Sequence, residues 1–187
     1  MTPATVPFAI TAWWKPLRPA SPFDPSHGLA GASPLFVALR HFLALYEGEF
    51  VVRVGDLHLR FDLRPDLSTV FEDLPGVLTA LAADTAAAEE LYFFEQGTDV
   101  AFLLERKGEV VTIRFRRGLT AGWEFDDLPE GPLAVAAGQF IGEWVLLARR
   151  VLQALVALEP GLDGDDSYRR YRGQLDLAEA AAGGEQR

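Results

Sequence analysis

The sequence predicts an α+β domain. The expected architecture is a mostly antiparallel sheet of about five or six strands, with two or three helices on one face and a C-terminal helical tail. Three observations carry this reading. Short runs alternate apolar and polar residues with period two, and Gly-containing turns separate them. Other segments repeat their apolar residues at helical spacing, the longest being 132–158. The chain has 187 residues, 49% of them hydrophobic, which is enough for one sizeable core.

The elements follow in order. "PFAITAWW" (Pro7–Trp14) is aromatic and β-leaning, and the Pro/Gly-rich stretch 15–34 reads as an ordered arm. Ser33 is placed to cap a helix with Pro34 in its first turn. Leu35, Leu39, Phe42, Leu43 and Tyr46 then share a face, and Gly48 reads as its stop. "EFVVRVGDLHLRFDL" reads as a hairpin turning at Gly55-Asp56, with Gly suited to the first position of a type II′ turn. Its second strand sends Leu57, Leu59, Phe61 and Leu63 to one side and His58, Arg60 and Asp62 to the other. "ELYFFEQGTDVAFLLERKGEVVTIRFRR" reads as a three-stranded meander.

The acidic stretches "FEDLPG" (71–76) and "FDDLPEG" (125–131) raise one question twice: catalytic carboxylates or helix starts. Each is followed by proline and then by apolar residues at helical spacing. An aspartate there accepts from free N–H groups and complements the positive helix end. Asp73 and Asp126 or Asp127 are therefore expected to be helix-start residues. In the 132–158 helix, Phe140, Ile141, Trp144, Val145, Ala148, Val151, Leu152, Leu155 and Val156 fill an arc of about 160°. An arc that wide suggests burial against a sheet and against something further, such as a second copy. The tail at 161–187 is acidic, with a thin apolar face on a helix expected from Asp165/Asp166 to about Ala182. That face suggests a loosely docked or extended helix, and 183–187 read as disordered. Residues 1–160 then form the single domain.

Composition removes whole classes of chemistry. There is no cysteine, hence no disulfide, thiolate metal site or Cys nucleophile. The formal charge is −10, which disfavours a phosphate backbone as partner. No apolar run reaches membrane-spanning length, and the N-terminus lacks the pattern of a signal peptide. A cytoplasmic home is the simplest expectation.

The sequence carries no evident catalytic constellation. His27, His41 and His58 show no metal-ligand spacing. "DGDDSY" (163–168) fails the calcium-loop register, because Tyr168 and Gln174 stand where Gly and Glu are needed; it reads as an acidic helix cap. "GLAGAS" (28–33) lacks the Lys of a phosphate loop, and no GxSxG elbow occurs. Arg114, Arg116 and Arg117 are expected to meet acidic groups within the chain or on a partner. The candidate binding residues are Trp13 and Trp14, as aromatic anchors, and His58, Arg60 and Asp62, which share one strand face. No cofactor or metal is implied.

"EFVVRVGDLHLRFDL", the helix after "FEDLP", and the meander feeding a long helix together cover Glu49–Leu158. In this order of elements the chain resembles the small bacterial immunity proteins encoded beside polymorphic toxins. The resemblance implies a non-catalytic acidic protein that neutralises a basic partner protein by complementary charge. Two alternatives stand beside it. One is a homo-oligomeric structural protein, with a homodimer through the 132–158 helix. The other is an enzyme using carboxylates such as Glu72, Asp73, Glu124, Asp126 or Asp127, for which no base or nucleophile partner is evident.

Overall fold

The computed structural model describes residues 4–17, 31–83, 87–95 and 97–183. Most of the 15–34 arm, His27 with it, and 184–187 lie outside the described residues. The fold is α+β, with two antiparallel sheets in place of the single sheet expected. The first sheet runs β1 (Phe8–Pro16), β2 (Tyr46–Val54), β3 (Leu57–Asp62) in the order β1-β2-β3. The second runs β4 (Ala88–Phe93), β5 (Val100–Lys107), β6 (Val110–Arg117), β7 (Leu133–Ala136) in sequence order. The helices are α1 (Pro34–Leu45), α2 (Leu63–Val70), α3 (Leu74–Ala82), α4 (Ala137–Leu158) and α5 (Asp166–Gly183).

Ser33 caps α1 as its position predicts, accepting from Phe36 N–H at 3.2 Å. The helix ends at Leu45, before Gly48 is reached. Gly48 instead lies inside β2, opposite Trp14. A Cβ there would overlap the Trp13 carbonyl oxygen, so the glycine serves close strand approach rather than helix termination. At the β2–β3 turn Gly55 takes φ +61° while Asp56 does not go positive, as a type II′ turn requires.

The expected strand register holds. Leu59, Phe61 and Leu63 are buried, Leu57 is half-buried, and His58, Arg60 and Asp62 are exposed. Phe61 stacks on Phe50 of its own sheet (5.1 Å between centroids) and on Phe93 of the second sheet (4.3 Å). The inner faces of both sheets therefore share one core. From β5 that core receives Val100, Phe102 and Leu104, and also the side chain of Arg106, which is only 1% exposed.

α4 closes this core. Phe140 packs on Phe8 at 4.8 Å, and Trp144 meets Phe50 edge-on at 6.4 Å. Its polar side protects the free edge of β1. Ile10 N–H donates to Glu143 Oε2 at 3.0 Å, and Arg150 Nη2 donates to the Ala12 carbonyl at 3.1 Å. Such side chains cap an edge that would otherwise offer pairing to another chain. One backbone bond, Val6 N–H to Ala134 O at 2.8 Å, links the lead-in to β1 with β7.

Four expectations need correction. α4 starts at Ala137, not Pro132, because Leu133–Ala136 pair with Val110–Ile113 as β7. "FDDLPEG" consequently starts no helix: Asp126 follows a short 3-10 turn (Trp123–Phe125) and pairs with Arg117 at 2.6 Å. Asp73 does occupy the N-cap position of α3, but its side chain makes no capping bond; the α2–α3 turn holds its backbone helical, with φ −84° and ψ −19°. The tail helix is docked more firmly than its thin face suggests. Tyr171 stacks on Phe71 at 4.7 Å and donates its hydroxyl to the Phe71 carbonyl at 2.7 Å. Asp165 caps the helix as expected, accepting from Ser167 N–H at 2.8 Å.

Candidate functional site

The strand pairing separates the five candidate binding residues into two groups. Trp13 is opposite Glu49, which is opposite Asp62; Arg53 is opposite His58, and Val51 opposite Arg60. Trp13, His58, Arg60 and Asp62 thus share the outer face of the first sheet. Trp14 points the other way. Its ring meets Phe42 edge-on at 5.6 Å, and the Arg150 guanidinium lies over it at 5.0 Å. It is a packing residue. On the outer face the charges largely answer one another, Arg60 with Glu49 at 3.3 Å and Lys15 with Glu47 at 3.1 Å. Trp13 is the large exposed apolar side chain there, at 49%.

The larger apolar exposure lies elsewhere. Tyr92, Phe94, Leu119 and Trp123 are all exposed, Phe94 at 58% and Trp123 at 83%. They stand at or beside two loops, 94–99 and 118–132, that are bonded to each other. Gly97 N–H donates to Thr120 O at 3.1 Å, and Gly122 N–H donates back to Gly97 O at 2.6 Å. Phe125 anchors the second loop from beneath, buried within 6.0 Å of the Phe61 ring.

Asp99 latches the two loops together. It takes φ +34°, a region where aspartate is one of the few tolerated side chains. Its carboxylate accepts from Thr120 N–H and Thr120 Oγ1, both at 2.9 Å, and from the Tyr92 hydroxyl at 2.8 Å. The Thr120 backbone bond, followed by those from the Tyr92 and Thr120 hydroxyls, holds its pKa below the usual value. The same bond to Asp99 raises the pKa of Tyr92. A Cβ on Gly118 would overlap this carboxylate, so the latch needs glycine there. The surround is ionic. Arg116 pairs with Glu90 and lies 5.4 Å from the Tyr92 ring centroid, as the basic cluster was expected to meet acids within the chain. Glu124, Asp126, Asp127 and Glu130 are exposed along the second loop.

Beneath the first loop lies a buried acid. Asp66, 2% exposed, accepts from Thr98 Oγ1 and from Asp62 N–H, each at 2.7 Å. Burial raises its pKa from 3.8 to about 6, against the lowering effect of those two bonds; Asp62 and Glu95 add to the rise. Between these two pH values the folded protein keeps a proton that the unfolded chain releases. Asp66 therefore favours folding most below about pH 4, and that contribution is lost as pH rises through 6, a change of about 3 kcal/mol. Asp66→Asn keeps the shape and cannot ionise. Unfolding of this variant, followed across pH 4 to 7, is expected to lack that part of the wild-type slope. An unchanged slope would show that Asp66 does not titrate in this range.

Among the described residues, no group of three or more His, Asp or Glu side chains is arranged to hold a metal ion. Nor is any helix among them long and apolar enough to cross a membrane. His41 pairs with Glu159 at 2.8 Å, and His58 is exposed on its strand. Tyr92, Phe94, Leu119 and Trp123 do not stand out in a search for catalytic motifs. Their signal was the triplet Tyr92-Phe93-Phe94, since period two sends Phe93 to one face and the rings on either side of it to the other, and a tryptophan in a glycine-containing loop. In comparison with known proteins, no family model, curated protein or solved structure matches the chain.

Proposed function

We propose that the protein works by binding a basic protein partner, with no turnover of its own, in the manner of an immunity-type inhibitor. The observation that carries this reading is the exposure of Tyr92, at the end of β4, together with that of Phe94, Leu119 and Trp123 on loops bonded to each other. Loops that serve only as connections do not need large apolar tips. Exposed aromatics on a pre-organised support bind at low entropic cost, and Trp and Tyr dominate interface energetics. The acidic rim at Glu124, Asp126, Asp127 and Glu130, with a chain charge of −10, favours a basic partner. The homo-oligomer reading has lost its motive. Nearly all of the α4 arc is buried within the chain, Val156 being half-buried; the exposed Leu146 lies outside that arc, on the polar side of the helix.

The test is capture of a partner from the source cell, followed by binding kinetics at two salt concentrations. Charge steering predicts a basic protein whose association slows as salt rises, because screening shortens the reach of the field to about 8 Å at physiological ionic strength. Dissociation should change less. Capture of no macromolecule, together with a small metabolite retained by the purified protein, would move the weight to an enzyme or sensor.

A further inference from the structure

Beside the aromatic cluster is a cleft of about 370 Å³ between the α2–α3 turn and β4. Val70 and Leu91 are among its apolar lining, Tyr92 and Phe94 supply ring surface, and Asp73 and Glu90 supply carboxylates. The two rings lie 5.9 Å apart at 58°. Among the described residues, no lysine or arginine lines the cleft. Asp73 makes no ion pair among the described residues, and Glu90 has a second oxygen beyond the one that meets Arg116. Thr69 also lines it; its hydroxyl donates to the Asp66 carbonyl at 2.8 Å and so keeps its lone pairs as acceptors.

We propose that this cleft receives an arginine side chain of the partner. This rests on the binding reading above and names its recognition element. The guanidinium is planar, stacks on aromatic rings and donates to several acceptors in its own plane; lysine offers a compact charge and no plane. The chain already shows the chemistry, since its own Arg116 pairs with Glu90 while lying over Tyr92. An acidic or neutral side chain would leave Asp73 unanswered beside Glu72, whose pKa is raised by burial and by Asp73 itself. The positive end of α3 opposes a cation here, but two adjacent carboxylates, Glu72 and Asp73, stand against that partial charge.

The probe is N-acetyl-arginine amide titrated into the full chain, with backbone amide NMR as the readout. Saturable shifts are expected at Thr69, Val70, Asp73 and Phe94, in the millimolar range. The citrulline analogue, equal in shape without the charge, should bind about tenfold more weakly or worse, as should the arginine probe to Asp73→Asn. Both Asp73 and Phe94 are exposed, so Asp73→Asn and Phe94→Ala should fold. Equal binding of citrulline, or no saturation at these amides, overturns the proposal. The outcome is separable from the wider reading: if the arginine probe fails while Trp123→Ala still abolishes partner capture, the cleft is excluded and the docking surface stands.

Discussion

Phe61→Ala is expected to destabilise the fold by about 3–5 kcal/mol, measured by denaturant unfolding. Phe61 is 1% exposed and stands where the two sheets meet. Its ring stacks on Phe50 and Phe93 and also lies 6.0 Å from Phe102 and from Phe125. Truncation would open a cavity bounded by elements of both sheets, which cannot collapse without moving one sheet on the other. The loss should appear at every probe of the structure, including the 118–132 loop that Phe125 anchors. A cost within about 0.5 kcal/mol, typical of surface substitutions, would show that the sheets do not share this core.

Arg106→Met is expected to cost about 3 kcal/mol, concentrated at the end of α3. The Arg106 guanidinium donates from Nη1 to the carbonyls of Leu81 (2.6 Å) and Ala82 (3.1 Å), and from Nε to Gly108 O (2.7 Å). It ties the last turn of α3 to the β5–β6 turn and complements the negative helix end. Methionine keeps much of the stem and leaves those carbonyls without their donor. Arg106→Lys should recover only part of the loss, because an ammonium cannot reproduce the fork. Faster amide exchange near Leu81 and Ala82 in the methionine variant, with β1–β3 unaffected at low denaturant, would localise the effect. Equal stability of the methionine variant and wild type would mean that the buried guanidinium is not a structural tie.

Much of this fold was legible because local chemistry and tertiary structure agree. Ser33-Pro34 starts α1, Gly55-Asp56 turns the first hairpin, and the alternation of Leu57–Leu63 points inward as predicted. The misreadings share a cause, tertiary contact overriding local preference. "LAVA" is alanine-rich and looks like the start of a helix, yet pairing with β6 makes it a strand. Gly48 looks like a helix stop, yet the proximity of Trp13 explains it. Two sheets rather than one could not be foreseen, since the decision lies in pairings between segments far apart in the chain.

The site was less legible than the fold. Trp13 and Trp14 both read as anchors, but period two separates them to opposite faces. Arg106 continues the inward alternation of Phe102 and Leu104 with a charge, which no hydrophobic pattern announces. The latch at Asp99 joins residues from β4 and two loops, and the sequence shows only a Gly-Thr-Asp turn. The aromatic tips were visible as letters; their exposure depends on which face the core took.

The most direct measurement compares partner binding by wild type and Trp123→Ala, with Trp13→Ala as the control. Trp123 is largely exposed, so its removal should leave unfolding unchanged. If the bonded loops form the docking surface, Trp123→Ala weakens binding by about 2 kcal/mol or more, roughly thirtyfold, mainly through faster dissociation. Trp13→Ala then binds as wild type does. Unchanged affinity in Trp123→Ala, with loss in Trp13→Ala, would contradict the account and place recognition on the outer face of the first sheet.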